Sequence, residues 1–479
     1  MTGSFRRLLP LAAAELAAEA GTVDGGAVTA GAKAARLSAA VRAGLPVLPG
    51  WVVPCAEARP ALRAAAAAVR GGAPAAARRA ALSCPLDPVL SSELAEAVAG
   101  LGGRVIVRSS SPLESNPRWS GAFSSVTEVC ADDAATAVRS CWAAAFAADP
   151  QARLRACGLS PEATELGVVI QPELRPDAGG TARVTRRARP AGDRDRETWP
   201  EDDLEVTAEA VAGHPGPLLA GWAEGVSGPG LARLIGAPLA GQVIQLAVRV
   251  FRLLGDDLIE WAVQDGAVWL LQSLASGDPG GACTARTAAF PVTADTATAG
   301  KAAASTAGTS AGLDGLWAAR EWMPLLAASV QARGQRLSAR PAAPGVAAGR
   351  LVPCRPHERP AASCVDAILL VDRPVPALAQ RLFGARGLVA RTGAASSHLA
   401  EVARSLGVPM VTGCRLPDQV TADPSGSSWL AAIDGAAGEV AFLLSPGGTL
   451  RSPGAPPPGP LARRGAPDEK AKISGAQSG

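Results

Sequence analysis

Long hydrophobic runs are missing from this sequence. Hydrophobic residues make up 48% of the 479 residues, yet no uninterrupted apolar stretch reaches the roughly 20 residues that cross a membrane as a helix. Near the start, Arg6 and Arg7 precede the apolar letters LLPLAAA as in a signal peptide, but Glu15 and Glu19 interrupt the apolar segment and no clear cleavage site follows. We therefore predict a soluble, cytoplasmic protein without a membrane partner, in which residues 6–20 form an amphipathic helix.

Paired cysteines and a strong charge imbalance are missing as well. The nine cysteines are scattered singly and no C-x-x-C motif occurs, so the pattern indicates neither a zinc site nor a disulfide framework. The formal net charge is only +3, and charges of both signs are spread along the chain. This composition argues against nucleic acid as a partner.

Lysine is almost absent. Among the 46 lysine and arginine residues, the lysines are Lys33, Lys301, Lys470 and Lys472. Lys33 therefore stands alone in the part of the chain that precedes Lys301. Because a compact ammonium group and a planar guanidinium group are not interchangeable, the isolated Lys33 indicates a specific role.

Histidine is also scarce, and one of the three histidines has an informative context. After His398 the apolar residues repeat with the i, i+3, i+4, i+7 spacing of a helix that buries one face, and Gly407 marks its end. His398 thus lies in the first helical turn, beside the candidate N-caps Ser396 and Ser397. The N–H groups and dipole of a helix N-terminus favour a neutral nucleophilic imidazole and then stabilise a phosphoryl group on it. A capping or surface histidine is the alternative.

Two basic side chains stand where a phosphate could bind. Lys33 lies at a Gly turn before a predicted helix, and Arg108 ends a predicted strand beside Ser109 and Ser110. Backbone N–H groups with one ammonium group can hold a phosphate, and an arginine can bind its oxygens in bidentate fashion. A solvated lysine and an arginine paired with a carboxylate are the alternatives.

Residues 244–273 are predicted to form paired strands. The letters IQLAVRVFRLL precede a hairpin whose turn includes Asp265 and Gly266. Glu260 and Gln272 lie at similar distances from this turn, so their oxygens could converge on one cation. Such ligands suit Mg²⁺ bound to a polyphosphate, whereas an exposed cross-strand polar pair is the alternative.

The segment around His398 resembles the phosphohistidine domain of the dikinase family, which includes pyruvate phosphate dikinase, phosphoenolpyruvate synthase and rifampicin phosphotransferase. In that family a Gly-rich turn and Thr/Ser-Ser-His precede a helix that reads A-x-x-A-R-x-L-G-x-P. The matching residues here are Gly393, Ser396, Ser397, His398, Ala400, Ala403, Arg404, Leu406, Gly407, Pro409 and Gly413. The resemblance implies that His398 carries a phosphoryl group.

The first half of the chain is similar to the nucleotide domain of the same family. Lys33 matches the lysine of its Gly-Gly-Lys turn, Arg108 matches its Val-Arg-Ser-Ser segment, and Gln171 ends a strand beside its adenine pocket. The hairpin matches its Asp-x-Glu-Trp and Leu-Gln-Ser-Arg-Pro segments. The resemblance implies ATP ligands at Lys33, Arg108, Gln171 and Glu173, and Mg²⁺ ligands at Glu260 and Gln272.

Two positions depart from the family pattern. Leu258 stands where the family has an aspartate, although Asp257 is adjacent, and Leu274 stands where the family has an arginine that contacts phosphate. A charge-assisted contact contributes roughly 1.5 to 3 kcal/mol. These substitutions predict weaker binding of a magnesium polyphosphate.

We expect an α/β protein with an ATP-grasp-like nucleotide-binding domain and a smaller α/β swivelling phosphohistidine domain. The nucleotide domain spans 1–275 and a flexible linker with one helix, 313–337, spans 276–340. The phosphohistidine domain spans 341–445, and 446–479 form a disordered tail rich in Pro and Gly.

The family resemblance implies an ATP-dependent phosphotransferase that passes the β-phosphoryl group of ATP through His398 to an acceptor and releases AMP and phosphate. The expected acceptor is a hydroxylated or aromatic small molecule, or pyruvate, bound between the domains or on a separate subunit. Two alternatives remain: a degenerate homologue that acts as a binding or regulatory partner, and a phosphocarrier that never uses ATP. Leu258 and Leu274 favour the degenerate homologue, whereas Lys33 and the matches around His398 oppose it.

Overall fold

The computed structural model describes residues 7–13, 16–18, 28–186, 203–275, 335–356, 364–417, 420 and 429–444. Within them the chain forms two five-stranded sheets, one eight-stranded sheet and one two-stranded sheet. The two five-stranded sheets lie within residues 7–275, and the eight-stranded sheet lies within residues 335–444.

The first sheet is antiparallel and has the order β1-β4-β7-β5-β6. Its strands are β1 (Leu9–Pro10), β4 (Trp51–Val53), β5 (Val105–Ser110), β6 (Ser125–Val129) and β7 (Gly167–Pro172). Helices α2 (Cys55–Arg70), α3 (Pro74–Ser83), α4 (Pro88–Gly100), α5 (Ala134–Ala144) and α6 (Ala148–Ala156) follow the strands along the chain. Apolar side chains of alternate strand positions, such as Val107 and Ile170, pack against Leu62 and Trp142 in one core. The predicted strand that includes Arg108 is confirmed as β5.

The second sheet is also antiparallel, with the order β10-β9-β8-β11-β12. Its strands are β8 (Ala178–Arg186), β9 (Leu204–Ala212), β10 (Val226–Ser227), β11 (Leu258–Gln264) and β12 (Ala267–Leu274). The helices of this part are α1 (Ala32–Arg42), α7 (Gly216–Leu219), α8 (Pro229–Ile235) and α9 (Ala237–Leu254). The hairpin predicted at residues 258–273 is confirmed, because β11 and β12 pair around Asp265 and Gly266, which both have positive φ.

The prediction of a strand at the letters IQLAVRVFRLL is wrong, since these residues lie in α9. Val243, Leu246 and Val250 recur at helical spacing and pack against Trp261 of β11. The β-branched residues of this segment favour a strand by propensity, but the packed face imposes the helix. By length and composition, α9 is the single helix among the described residues that passes as a membrane span, a test that core helices of globular proteins also pass.

The third sheet has the order β13-β20-β19-β15-β16-β17-β18-β14. Its strands are β13 (Gln335–Ser338), β14 (Arg340–Ala343), β15 (Val346–Pro353), β16 (Ile368–Val371), β17 (Gly387–Ala390), β18 (Met410–Thr412), β19 (Trp429–Asp434) and β20 (Glu439–Leu444). Strands β15 to β18 are parallel, and the outer strands are antiparallel to their neighbours. Helices α10 (Ala379–Leu382) and α11 (His398–Leu406) cover one face of this sheet.

Three predictions about the chain's organisation have different outcomes in the structure. The described residues of 6–20 form the short strands β1 and β2 (Leu16–Ala17) rather than a helix, because Pro10 interrupts helical pairing and Leu11 N–H donates to the Gly50 carbonyl. The predicted helix 313–337 lies outside the described residues except at its end, where β13 pairs with β20. The third sheet thus begins at Gln335, before residue 341, while the predicted tail 446–479 lies outside the described residues.

The remaining short elements complete the first half. Strand β3 (Val28–Thr29) pairs in parallel with β2 and leads into α1. Short 3-10 helices span Pro112–Ser115, Pro117–Trp119, Ala131–Asp133 and Pro161–Ala163, with one more at Pro376–Leu378 in the second half. The helices at 112–119 place Ser120 and Gly121 at the surface that meets the third sheet's domain.

Candidate phosphotransfer site

Helix α11 begins at His398, as the sequence predicts. The Ser397 hydroxyl caps it by accepting a hydrogen bond from the Ala400 N–H at 3.4 Å, and Gly407 ends it in the left-handed conformation at φ 67°. Leu399 and Val402 are buried against the third sheet. The helix is therefore anchored by its apolar face, which leaves the first residue at the edge of the domain.

The His398 ring lies against the nucleotide-binding half of the chain. Its Nδ1 atom is 2.9 Å from the Ser120 hydroxyl oxygen. A Cβ atom on Gly121 would stand 2.8 Å from both Cγ and Cδ2 of the ring, so only glycine permits this approach. Since Nδ1 is engaged by Ser120, the ring nitrogen left for chemistry is Nε2.

A buried arginine holds the loop on which the imidazole rests. The Arg153 side chain has no solvent exposure, and its Nη1 atom donates to the carbonyl oxygens of Arg118 at 2.8 Å and Ser120 at 2.9 Å. Its Nη2 atom pairs with Asp149 at 2.8 Å. The hydroxyl that faces His398 is therefore part of a fixed turn.

Burial lowers the pKa of His398 below its ordinary value of 6.5, and Lys33 and Arg153 lower it further, against the opposing charges of Glu260 and Glu401. The imidazole is consequently neutral at neutral pH. A neutral ring has a nitrogen lone pair available for nucleophilic attack.

His398 faces a cavity of about 350 Å³ between the first and second sheets. The structure brings every residue proposed from the sequence for catalysis, nucleotide binding or metal binding to the walls of this cavity. They are Lys33, Arg108, Gln171, Glu173, Glu260, Gln272 and His398. Their roles stay predictions, but their convergence from six separate segments of the chain forms one coherent site.

Lys33 lies in the wall of the cavity and is buried, with 7% of its surface exposed. Its Nζ atom donates to the Ser109 carbonyl at 2.8 Å and to Glu114 Oε1 at 3.1 Å. The other carboxylate oxygen of Glu114 accepts the Ser111 N–H at 2.8 Å. An ammonium group has three donors, so one N–H of Lys33 is left beyond its contacts within the described residues.

Arg108 connects the two sheets across the cavity. Its Nη1 atom donates to the Leu271 carbonyl at 2.6 Å, its Nη2 atom lies 3.4 Å from Gln272 Oε1, and Glu260 is 3.9 Å away. Burial lowers the pKa of the guanidinium, although the group stays charged. Arg108 thus presents a fixed positive charge next to Glu260.

Gln171 and Glu173 line the cavity, but each already forms a hydrogen bond with another residue of the protein. Gln171 Nε2 donates to the Leu48 carbonyl at 3.0 Å, and Glu173 Oε2 accepts the Glu128 N–H at 2.6 Å. Glu128 has a φ of 56°, a strained value for a residue with a side chain. Glu173 therefore supports the cavity wall and leaves less carboxylate capacity for a ligand than the sequence suggests.

Glu260 and Gln272 are direct cross-strand partners on β11 and β12. Glu260 is buried at 6% exposure, and its nearest ion-pair partner in the described part of the chain, Arg108, is beyond hydrogen-bonding distance. The described residues contain no group of three or more His, Cys, Asp or Glu side chains able to bind a metal. One carboxylate and one amide oxygen fit Mg²⁺, which takes most of its remaining ligands from water and substrate phosphates.

The two leucines that replace charged family residues face each other. Leu258 and Leu274 are cross-strand partners and both are buried, at 3% and 7% exposure. Asp257 does not take over the cavity position, because its carboxylate pairs with Arg183 Nη1 at 2.9 Å away from the cavity lining. Leu274 lines the cavity and Leu258 does not, so one of the two departures from the dikinase pattern lies at the cavity wall.

Polar contacts hold the His398 turn on the nucleotide-binding half. Glu209 Oε2 accepts hydrogen bonds from the Ser396 N–H at 3.1 Å and the Ser396 hydroxyl at 2.6 Å. Arg183 Nη2 lies 2.6 Å from both carboxylate oxygens of Glu401. These contacts fix both the loop before α11 and the first turns of the helix.

Sequence reasoning missed several residues of this site. Ser120 and Gly121 lie in a segment that resembles a Ser-x-Ala-Gly motif of the family, which was a usable signal for a close approach. His214 also lines the cavity, although no motif in the sequence marks it. No sequence signal links Glu209 or Arg183 to α11, because these contacts arise only from the tertiary arrangement.

Comparison with known families agrees with this geometry. The family model of the pyruvate phosphate dikinase AMP/ATP-binding domain matches residues 27–213, and that of the mobile domain of PEP-utilising enzymes matches residues 365–439. No curated protein is a significant match. The holo-form of aconitase X from Thermococcus kodakaraensis is 18% identical over 23% of this chain and 99% of its own, but its TM-score of 0.18 supports no conclusion. Because it combines an ATP-grasp-like nucleotide-binding domain with a swivelling His domain, this α/β chain belongs to the dikinase family of phosphotransferases.

Proposed function

We propose that the protein is an ATP-dependent phosphotransferase in which His398 accepts the β-phosphoryl group of ATP. The observation that carries the proposal is the placement of the ring: Ser120 engages Nδ1, and Nε2 is left at a cavity that contains Lys33, Arg108 and Glu260. A neutral nucleophile, two cations and a carboxylate around one cavity suit transfer from a polyphosphate.

The proposed reaction forms a bond between His398 Nε2 and the β phosphorus. The bond from this phosphorus to the α-phosphate bridging oxygen breaks with AMP as the leaving group, and water cleaves the anhydride to the γ-phosphate to release inorganic phosphate. One phosphoryl group remains on the imidazole. Helix α11 presents its N-terminal N–H groups to this anion, which stabilises the phosphorylated form.

Each wall of the cavity has a distinct part in this reaction. Lys33 and Arg108 bind phosphate oxygens, Gln171 and Glu173 shape the nucleoside end, and Glu260 with Gln272 would hold Mg²⁺. A Mg²⁺ ion held by these two side chains would supply positive charge that offsets the charge of the phosphate oxygens. Ser120 orients the imidazole so that Nε2 faces the phosphoryl group.

The acceptor is proposed to be a small molecule, either a hydroxylated or aromatic metabolite or pyruvate, in the cytoplasm. While the ring faces the nucleotide cavity, it lies against Ser120 and Gly121 of the nucleotide-binding half. The phosphorylated His398 would therefore leave Ser120 and meet the acceptor elsewhere, between the domains or on a separate acceptor-binding subunit. A histidine that must reach two separate sites in turn has to lie on a domain that can move between them.

One observation favours a second candidate, a non-catalytic homologue that serves as a binding or regulatory partner. Buried leucines stand at 258 and 274, where the family resemblance implies an acid and a base, and Leu274 lines the cavity. A phosphocarrier that receives its phosphoryl group from another protein is consistent with the same loss.

Acid-labile labelling separates these functions. The purified protein is incubated with Mg²⁺ and with ATP labelled at either the β or the γ position, and protein-bound label is measured before and after acid treatment. We expect acid-labile label from the β position only, none with His398→Ala, and wild-type labelling with His357→Ala as the matched histidine control. Label from the γ position that remains once phosphate release is complete, or no label despite measurable ATP binding, would refute the dikinase reaction, and no ATP binding would support a carrier or regulatory partner.

A further inference from the structure

His214 is the one histidine of the cavity without a part in the proposed reaction. It follows β9 and precedes α7, and it lines both the main cavity and an adjoining outer cavity of about 420 Å³. The two cavities are adjacent, because Thr127, Glu173, Leu174, Pro176 and His214 line both. His214 thus stands where the cleft opens outward.

A backbone contact fixes the direction of this ring. Nδ1 of His214 accepts a hydrogen bond from the Gly216 N–H at 3.0 Å. Since the neutral imidazole carries a single proton, an acceptor at Nδ1 places that proton on Nε2. Nε2 has no hydrogen-bond partner among the described residues, so an N–H donor is left over at the cavity wall.

The electrostatic surroundings keep this donor neutral. Desolvation by neighbouring groups lowers the pKa of His214, although the residue is largely exposed, and Arg108 lowers it further, against the opposing charges of Glu260 and Glu173. The ring therefore adds a hydrogen-bond donor without a charge. Such a group suits a neutral acceptor atom better than a phosphate that already faces Lys33 and Arg108.

The order of residues along the cleft identifies the part of the nucleotide that reaches His214. His398, Ser120 and Lys33 line the main cavity but not the outer one, whereas Glu173 and His214 line both. With the β-phosphoryl group at His398, the nucleoside extends toward the outer opening. We infer that His214 Nε2–H donates a hydrogen bond to an acceptor atom of the nucleoside, a ribose oxygen or a base nitrogen, and thereby contributes to recognition of ATP over bare polyphosphate.

This inference rests on the proposed function. One substitution removes the Nε2–H donor of His214 and keeps the hydrogen bond from the Gly216 N–H. In His214→Asn the side-chain oxygen can accept the Gly216 N–H as an Asx turn does, so the loop is kept while the Nε2–H is lost. His214→Ala removes both contacts. Dissociation constants are measured by calorimetry for magnesium ATP, magnesium 2′-deoxy-ATP, magnesium GTP and magnesium tripolyphosphate.

We expect His214→Asn to bind ATP about three- to tenfold more weakly than the wild type, the effect of one neutral hydrogen bond, and to bind tripolyphosphate unchanged. A smaller loss for 2′-deoxy-ATP would identify the ribose as the acceptor, and a smaller loss for GTP would identify the base. Normal ATP binding by His214→Asn with weak binding by His214→Ala would make the residue purely structural and overturn the inference. An equal loss for tripolyphosphate would also overturn it. Failure of the wild type to bind ATP would instead overturn the proposed function itself.

Discussion

Replacing Gly121 by alanine should block the approach of His398 while leaving the nucleotide cavity in place. The new Cβ atom would stand 2.8 Å from Cγ and Cδ2 of the imidazole and 2.9 Å from its Cβ. Real Cβ contacts do not occur below 3.0 Å, and ordinary contact begins at 3.4 Å. The ring must therefore retreat by about 0.2 Å to leave the range that real contacts avoid, and by about 0.6 Å to reach ordinary contact.

This retreat is large enough to matter for the reaction. It breaks or lengthens the 2.9 Å contact between Nδ1 and the Ser120 hydroxyl, and it displaces Nε2 from the phosphoryl group. A misplacement of about 1 Å between reacting groups can cost roughly 100-fold in rate. We expect the rate constant for labelling of His398 from β-labelled ATP to fall by about 30- to 100-fold.

The matched control is Gly158→Ala. Gly158 has a φ of 68°, close to the 66° of Gly121, but a Cβ on it meets no atom within 4 Å. Both substitutions carry the strain of an L-residue in the left-handed region, about 1 to 2 kcal/mol, and only Gly121→Ala also meets His398. The two variants should thus unfold at similar temperatures and differ in phosphorylation.

The assay is single-turnover labelling in a rapid-quench instrument, combined with calorimetric ATP binding and thermal unfolding. The dissociation constant for ATP should change less than about threefold in Gly121→Ala, because its Cβ clashes are with the ring alone among the nearest atoms. Equal labelling rates for Gly121→Ala and Gly158→Ala would refute the reasoning, since the contact between Ser120 and His398 would then not belong to the reactive arrangement.

Three further predictions test the charges around the site. Because the pKa of His398 is lowered below 6.5, the labelling rate should fall in acid with a midpoint below pH 6.5, where the ring becomes protonated; a decline centred above 6.5 would contradict the lowered pKa. Arg183→Ala should slow labelling about tenfold, because it removes a charge-assisted contact to Glu401. Adding Glu401→Gln to this variant should slow labelling little further. If the two losses were additive, the double-mutant cycle would exclude a direct coupling between the two residues. Lys33→Ala should abolish labelling and lower the free energy of unfolding by about 3 to 5 kcal/mol, because it leaves the Glu114 charge buried without its partner; the added change Glu114→Gln should restore stability but not labelling.

The sequence predicted the local elements of the site well because their signals are local. Ser397, the helical spacing after His398 and Gly407 define α11 from within one segment. The hairpin around Asp265 was equally readable, because its turn chemistry and flanking strands lie side by side in the chain. Where local propensity and packing disagreed, as in α9, the prediction was wrong because packing decided.

The parts that escaped prediction depend on distant residues. Ser120 and His398 are 278 positions apart, and no periodicity connects them. The pairing of Leu258 with Leu274 was readable only once the hairpin register was known. The hydrogen bond from the Glu128 N–H to Glu173 likewise depends on the path of β6. The residues that flank Glu128 and Glu173 in the sequence do not predict it.

The ion pairs at the contact of the two halves have a consequence for how easily they part. Arg183 has Asp257 beside it on its own half, and Glu401 has Arg404 beside it on its own helix. When the two halves separate, neither Arg183 nor Glu401 is therefore left as an unpaired charge in apolar surroundings. An unpaired buried charge would make separation costly. Two surfaces that each carry their own counter-charge can separate with little net electrostatic penalty.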